Sequence, residues 1–139
     1  VQVSSLHKLP GLGVSYPWND HELIAPADLA INIKSGNPKM VILNIGTVEY
    51  LPGAVHIGAV SDPANMGKLQ KKLATLPKNS PVVIYCGCCP FTKCPNIRPA
   101  YLELRKLGFT QIKVLDLPTN LKTNWIAKDY PLAKNQSGL

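Results

Sequence analysis

Two short, almost unbroken apolar runs mark this chain, Met40-Val-Ile-Leu-Asn-Ile45 and Pro81-Val-Val-Ile-Tyr85, and Gln111-Ile-Lys-Val-Leu-Asp-Leu117 also reads as a strand. Runs of that length without alternation suit strands buried on both faces. Between them lie segments whose apolar residues recur at helical spacing. Strands alternating with helices join in parallel only through crossovers, which lay helices over both faces of the sheet. The expected class is α/β, with a central, mostly parallel sheet flanked by helices in three layers. A further strand, residues 54–60, follows a turn at Pro52-Gly53.

The helix signals agree with that alternation. Pro26 stands at a first helical position, and Gly36 lies just past the end of the same segment. Asp62-Pro63 reads as cap and first residue of a helix whose stripe is Met66, Leu69, Leu73 and Leu76, with Pro77 stopping it. A third helix has Pro99 in its first turn, apolar Ala100, Leu104 and Leu107, and Gly108 as its stop. Residues 121–128 read as a short closing helix with Trp125 as a core anchor. Residues 1–22 read as an extended arm pinned by Tyr16 and Trp18. Residues 23–133 read as one domain, and 134–139 as a loose tail.

Composition narrows the partners. With 139 residues, 45% of them hydrophobic, the chain can bury one ordinary core. No apolar stretch approaches the roughly 20 residues that span a bilayer. A formal charge of +7 and a pI near 9.3 favour anions. Lys68, Lys71 and Lys72 share one helix and read as a solvated face, and basic and aromatic residues do not interleave as nucleic-acid grooves require. Small anions are the expected ligands, nucleic acid is not, and the protein is expected to be a monomer without a cofactor. A chain starting at Val1 with four cysteines fits a periplasmic or secreted protein, with the cytoplasm as the alternative.

All four cysteines fall in one window, Cys86-Gly-Cys88-Cys89-Pro-Phe-Thr-Lys-Cys94, directly after an apolar run and before a helix. Packing cysteines would be scattered, so this cluster reads as functional. A strand that delivers sulfur to its carboxyl end, opposite a helix amino terminus, meets unpaired N–H groups and partial positive charge. Both favour the thiolate.

The order of segments resembles a single rhodanese (sulfurtransferase) domain from about residue 24 to 132. Ile24-Ala-Pro-Ala-Asp-Leu29 resembles that family's opening helix, and Val82-Val-Ile-Tyr-Cys86 its strand ending in the catalytic cysteine. Arg98-Pro-Ala-Tyr-Leu-Glu-Leu is similar to the helix that follows, and the stretch from Leu117 through Trp125 to Pro131 to the closing segment. Val41-Ile-Leu-Asn-Ile-Gly46 resembles the strand usually ending in Asp-x-Arg, with Asn44 and Gly46 at those places. Tyr50 stands where a histidine is usual, and Thr119 and Asn120 replace paired glycines. The loop departs most. Residues 87–97 separate Cys86 from Arg98, far more than in typical members, and Pro90 and Pro95 offer no N–H donors to a sulfur-binding nest. The Cys-x5-Arg loop of phosphatases is also absent, because Thr92 stands six residues before Arg98.

The resemblance implies a sulfurtransferase. A cysteine takes the outer sulfur of a small anionic donor such as thiosulfate, becomes a persulfide, and passes that sulfur to a thiol or protein acceptor. Strand position selects Cys86 as nucleophile, while nearness to Arg98 and the helix start makes Cys94 its competitor. Arg98 and Lys93 are the candidate cations for sulfonate oxygens. Cys88 and Cys89 are candidate resolving or disulfide cysteines, which opens a dithiol redox alternative. Four thiolates could also hold zinc, cuprous ion or an iron–sulfur centre, although the two paired Cys-x2-Cys units that let each half wrap an ion are lacking and vicinal Cys88-Cys89 is awkward for one metal. A silent binding module on the same scaffold is the last alternative.

Overall fold

The computed structural model describes residues 17–35, 40–46, 51–87 and 94–132. In chain order the elements are β1 (Leu23–Ile24), α1 (Pro26–Lys34), β2 (Val41–Asn44), β3 (Val55–His56), α2 (Pro63–Leu73), β4 (Val82–Tyr85), α3 (Ile97–Lys106), β5 (Ile112–Leu115) and α4 (Leu121–Asn124). The strands form one sheet in the order β1-β5-β4-β2-β3, and every neighbouring pair is parallel. The α/β expectation holds.

Period-2 alternation along the strands sorts the core into two layers. Leu43, Val82, Ile84, Ile112 and Val114 pack with Leu69 and Leu73 of α2 and Ile97, Ala100 and Leu104 of α3. On the other face, Ile42, Val83, Tyr85 and Leu115 meet Leu29 and Ala30 of α1 and Leu121 of α4. β4 lies in the middle of the sheet, and all four of its residues are wholly buried. The third layer is closed by Trp125, whose Nε1 donates to the Pro131 carbonyl at 2.7 Å.

Helix ends follow the sequence signals. Asp62 caps α2 by accepting from Ala64 N at 3.0 Å, with Pro63 next. After α3, Gly108 N donates to Arg105 O and Phe109 N to Leu104 O, the double bond of a Schellman stop. Three elements differ from expectation. The closing helix ends at Asn124, and a separate 3-10 turn, Ile126–Lys128, follows it after Trp125. β3 is only two residues long, because Ile57 N and Gly58 N both turn back to the Asn44 carbonyl, at 2.9 and 3.2 Å. Gly58 also takes a φ of +99°, which takes the chain out of the strand. β1, too short to show a period, pairs with β5 at the sheet edge.

Just before β1, Trp18 is buried and meets Tyr101 of α3 edge-on, with ring centroids 5.8 Å apart. The Tyr101 hydroxyl donates to Glu22 Oε1 at 2.6 Å, and Arg105 Nη1 lies 3.8 Å from Glu22 Oε2. The expected pin by Trp18 is therefore present. Residues 1–16 of the arm, including Tyr16, lie outside the described residues, as do Gly36, Tyr50 and the tail 134–139. Among the described residues no helix is long and apolar enough to cross a membrane.

Candidate active site

β4 delivers Cys86 to its carboxyl end, on the face covered by α2 and α3, where the residue is only 2% exposed. On the neighbouring strand the chain passes so close that a Cβ on Gly46 would stand 2.5 Å from both the Cys86 sulfur and its carbonyl oxygen. Only glycine leaves room for that sulfur. The absence of a long side chain at this position therefore has a local physical cause.

Asn44, 1% exposed, organises the same rim. Its Oδ1 accepts from Gly46 N at 3.0 Å, its carbonyl holds the end of β3, and its Nδ2 lies 3.5 Å from His56 Nδ1. His56 itself is exposed at the end of β3.

The opposite wall is the start of α3. Asn96, 4% exposed, donates through Nδ2 to Cys86 Sγ at 3.4 Å and through its backbone N to Cys94 Sγ at 3.4 Å. Its Oδ1 accepts from Ser61 N, in the turn between β3 and α2, at 3.0 Å. One residue thus meets both sulfurs. Cys86 and Cys94 are both thiols here, and Cys94 is 6% exposed. Gly87 begins the loop at a φ of +92°, and its carbonyl accepts from Leu121 N at 2.9 Å, tying the loop to α4.

On the β5 side, Val114 pairs with Ile84. Asp116 follows directly after the end of β5, as Cys86 does after the end of β4. Burial pushes the Asp116 carboxyl above the usual range for aspartate. Burial, then the bond and charge of Glu22, likewise push the Tyr101 phenol above its ordinary value.

The structure brings together Cys86 and Cys94 among the residues expected from sequence. Arg98 lies in the first turn of α3 with its side chain exposed. Lys93, Cys88 and Cys89 lie outside the described residues, so the four-thiolate reading extends beyond them too. Among the described residues, no three metal-ligating side chains gather. Sequence reasoning missed Asn96. An asparagine just before a helix reads as a cap, but its backbone is helical (φ −99°, ψ −29°) and its side chain makes no capping bond.

This arrangement, a five-stranded parallel sheet covered by helices on both faces, is the fold of the rhodanese-like domains. The chain is similar to the rhodanese-like domain of an Anabaena protein (18% identity, TM-score 0.58, 80% of this chain and 77% of that one). It is also similar to a single-domain sulfurtransferase of Saccharomyces cerevisiae (17% identity, TM-score 0.56, 79% and 94%). A third likeness is to the polysulfide-sulfur transferase homodimer of Wolinella succinogenes (20% identity, TM-score 0.51, 86% and 85%). No family model matches the sequence, and no curated protein does. The likeness establishes the rhodanese-like fold.

Proposed function

We propose that the protein is a sulfurtransferase that carries sulfane sulfur as a persulfide on Cys86. The observation that carries this is the Cys86 sulfur, set at a strand end between Gly46 and Asn96, with an N–H donor aimed at it. Burial in apolar surroundings opposes thiol ionisation, whereas N–H donors and a nearby helix start favour it. Asn96 and α3 supply both of the favouring contributions.

In the first step the Cys86 thiolate attacks the outer sulfur of thiosulfate. A Cys86 sulfur–sulfur bond forms, the donor's sulfur–sulfur bond breaks, and sulfite leaves with the electron pair. A thiol acceptor then takes the outer sulfur from the persulfide. Arg98, with Lys93 of the loop, is the candidate cation for the donor's oxygens. Polysulfide is the second donor class to try, given the likeness to a polysulfide-sulfur transferase. Incubating reduced protein with thiosulfate tests this: a mass gain of one sulfur with matching sulfite release supports it, and no gain with either donor overturns it.

One observation favours a second reading, dithiol redox. Because Asn96 engages both sulfurs, the Cys94 thiolate is a candidate to attack the inner sulfur of a Cys86 persulfide. That step forms a Cys86–Cys94 disulfide and expels hydrosulfide, so the outer sulfur is reduced and the thiol pair oxidised. Turnover would then need an external dithiol reductant. Hydrosulfide release from the loaded protein without added acceptor distinguishes this from simple transfer.

A further inference from the structure

We propose that Asn96 is the residue that stabilises the Cys86 thiolate, through a side-chain N–H whose direction is set by the backbone of the turn between β3 and α2. This deepens the proposed function, because it takes Cys86 as the reacting sulfur.

The amide has an accepting end and a donating end, and the structure decides which faces the sulfur. Ser61 N can only donate, and it lies 3.0 Å from Asn96 Oδ1. The NH2 end is thereby directed at Cys86 Sγ, 3.4 Å away. Ser61 is itself fixed in a tight turn: Asp62 N donates to the Ala59 carbonyl at 3.0 Å, and Asn65 Nδ2 donates to the same oxygen at 3.0 Å. The donor is therefore preorganised and does not have to be recruited when charge appears on sulfur.

Burial makes the contact count. Asn96 is 4% and Cys86 2% exposed, so water competes little for either. A donor aimed at an anion is stronger in such a place than in solvent. Asn96 also forgoes the capping bond that an asparagine at a helix start ordinarily makes. Its side chain is committed to the sulfur and to Ser61.

Asn96→Asp reverses the contact. It keeps an oxygen for the Ser61 N–H and nearly the same shape, but turns the group facing the sulfur from donor to acceptor. Asn96→Ala removes both contacts. Iodoacetamide modification of Cys86, located by fragment-ion mass spectrometry and followed against pH, reports thiolate formation at that sulfur. The half-maximal pH is expected to rise by roughly 1–2 units in Asn96→Ala, and at least as far in Asn96→Asp. The carboxylate of Asn96→Asp also raises the half-maximal pH by its own charge, so the deciding variant is Asn96→Ala, whose profile a purely structural residue would leave where the wild type has it. If that variant keeps the wild-type circular dichroism and the wild-type profile, the proposal is overturned. Should Asn96→Ala fail to fold, the near-isosteric Asn96→Leu, which removes the donor and adds no charge, decides in its place. Thiosulfate loading of the wild type separates the two proposals: loading with an unshifted profile defeats only the role of Asn96, and a shifted profile without loading defeats only sulfur transfer.

Discussion

Gly46 and Cys86 occupy adjoining strand ends so closely that the space a Cβ would take on one is filled by the sulfur and carbonyl oxygen of the other, each 2.5 Å away. The carbonyl belongs to the backbone, so it has little freedom to move aside. Gly46→Ala should destabilise the fold by about 1–3 kcal/mol through overpacking and displace the Cys86 sulfur. Urea unfolding together with thiosulfate loading checks both effects. Full loading at unchanged stability would contradict the packing.

Gly67 supplies the opposite case. It lies inside α2, and a Cβ there meets nothing within 4 Å. Gly67→Ala should stabilise the protein by about 0.5–1 kcal/mol, since alanine loses less backbone freedom on entering a helix. A shift of the urea midpoint to higher concentration is the expected result.

The clasp between Tyr101 and Glu22 should show in alkaline stability. The Tyr101 phenol is held above its ordinary value in the fold, so the folded state keeps a proton that the unfolded chain gives up. Its contribution is complete below the unfolded value of about 10 and is lost as pH rises through the higher folded value. Tyr101→Phe, which removes a bond to a carboxylate, should lose about 1.5–3 kcal/mol at neutral pH. That gap should narrow as pH rises above about 10. A gap that stays constant would show that the phenol's proton is not what the clasp depends on.

Asp116 predicts the reverse sign for a substitution. Burial raises its folded value, so stability from this group is full below the unfolded value and falls as pH rises through the folded one. Asp116→Asn, which cannot ionise, should therefore be more stable than the wild type at neutral pH. The advantage should vanish below about pH 3.9, where the unfolded aspartate is protonated too. Unfolding at the two pH values measures the sign directly.

Much of this architecture could be read from the chain because burial writes itself into composition. β4 is an unbroken apolar run, β2 is apolar up to Asn44, β5 is apolar around the half-buried Lys113, and α2 carries Leu69 and Leu73 on one side with Asp62-Pro63 at its start. β1 has two residues, too few for any period to appear, and β3 ends at a backbone turn that depends on Asn44 from another strand. Cys86 and Cys94 stood out by clustering, but the residues around them did not. The need for glycine at position 46 arises from an atom 40 residues further along the chain, and Asn96 is oriented by Ser61, 35 residues before it. No local spacing encodes such contacts. A strand-end thiol implies that donors must exist, without naming which side chain supplies them.

The central claim is that Cys86 is the sulfur that becomes charged and then loaded. The most direct measurement is peptide-resolved mass spectrometry of thiosulfate-treated Cys86→Ser and Cys94→Ser proteins beside the wild type. The expected result is one added sulfur on the Cys86 peptide of the wild type and of Cys94→Ser, with none on Cys86→Ser. Loading that persists in Cys86→Ser and disappears in Cys94→Ser would contradict the claim and move the chemistry to the sulfur at the head of α3.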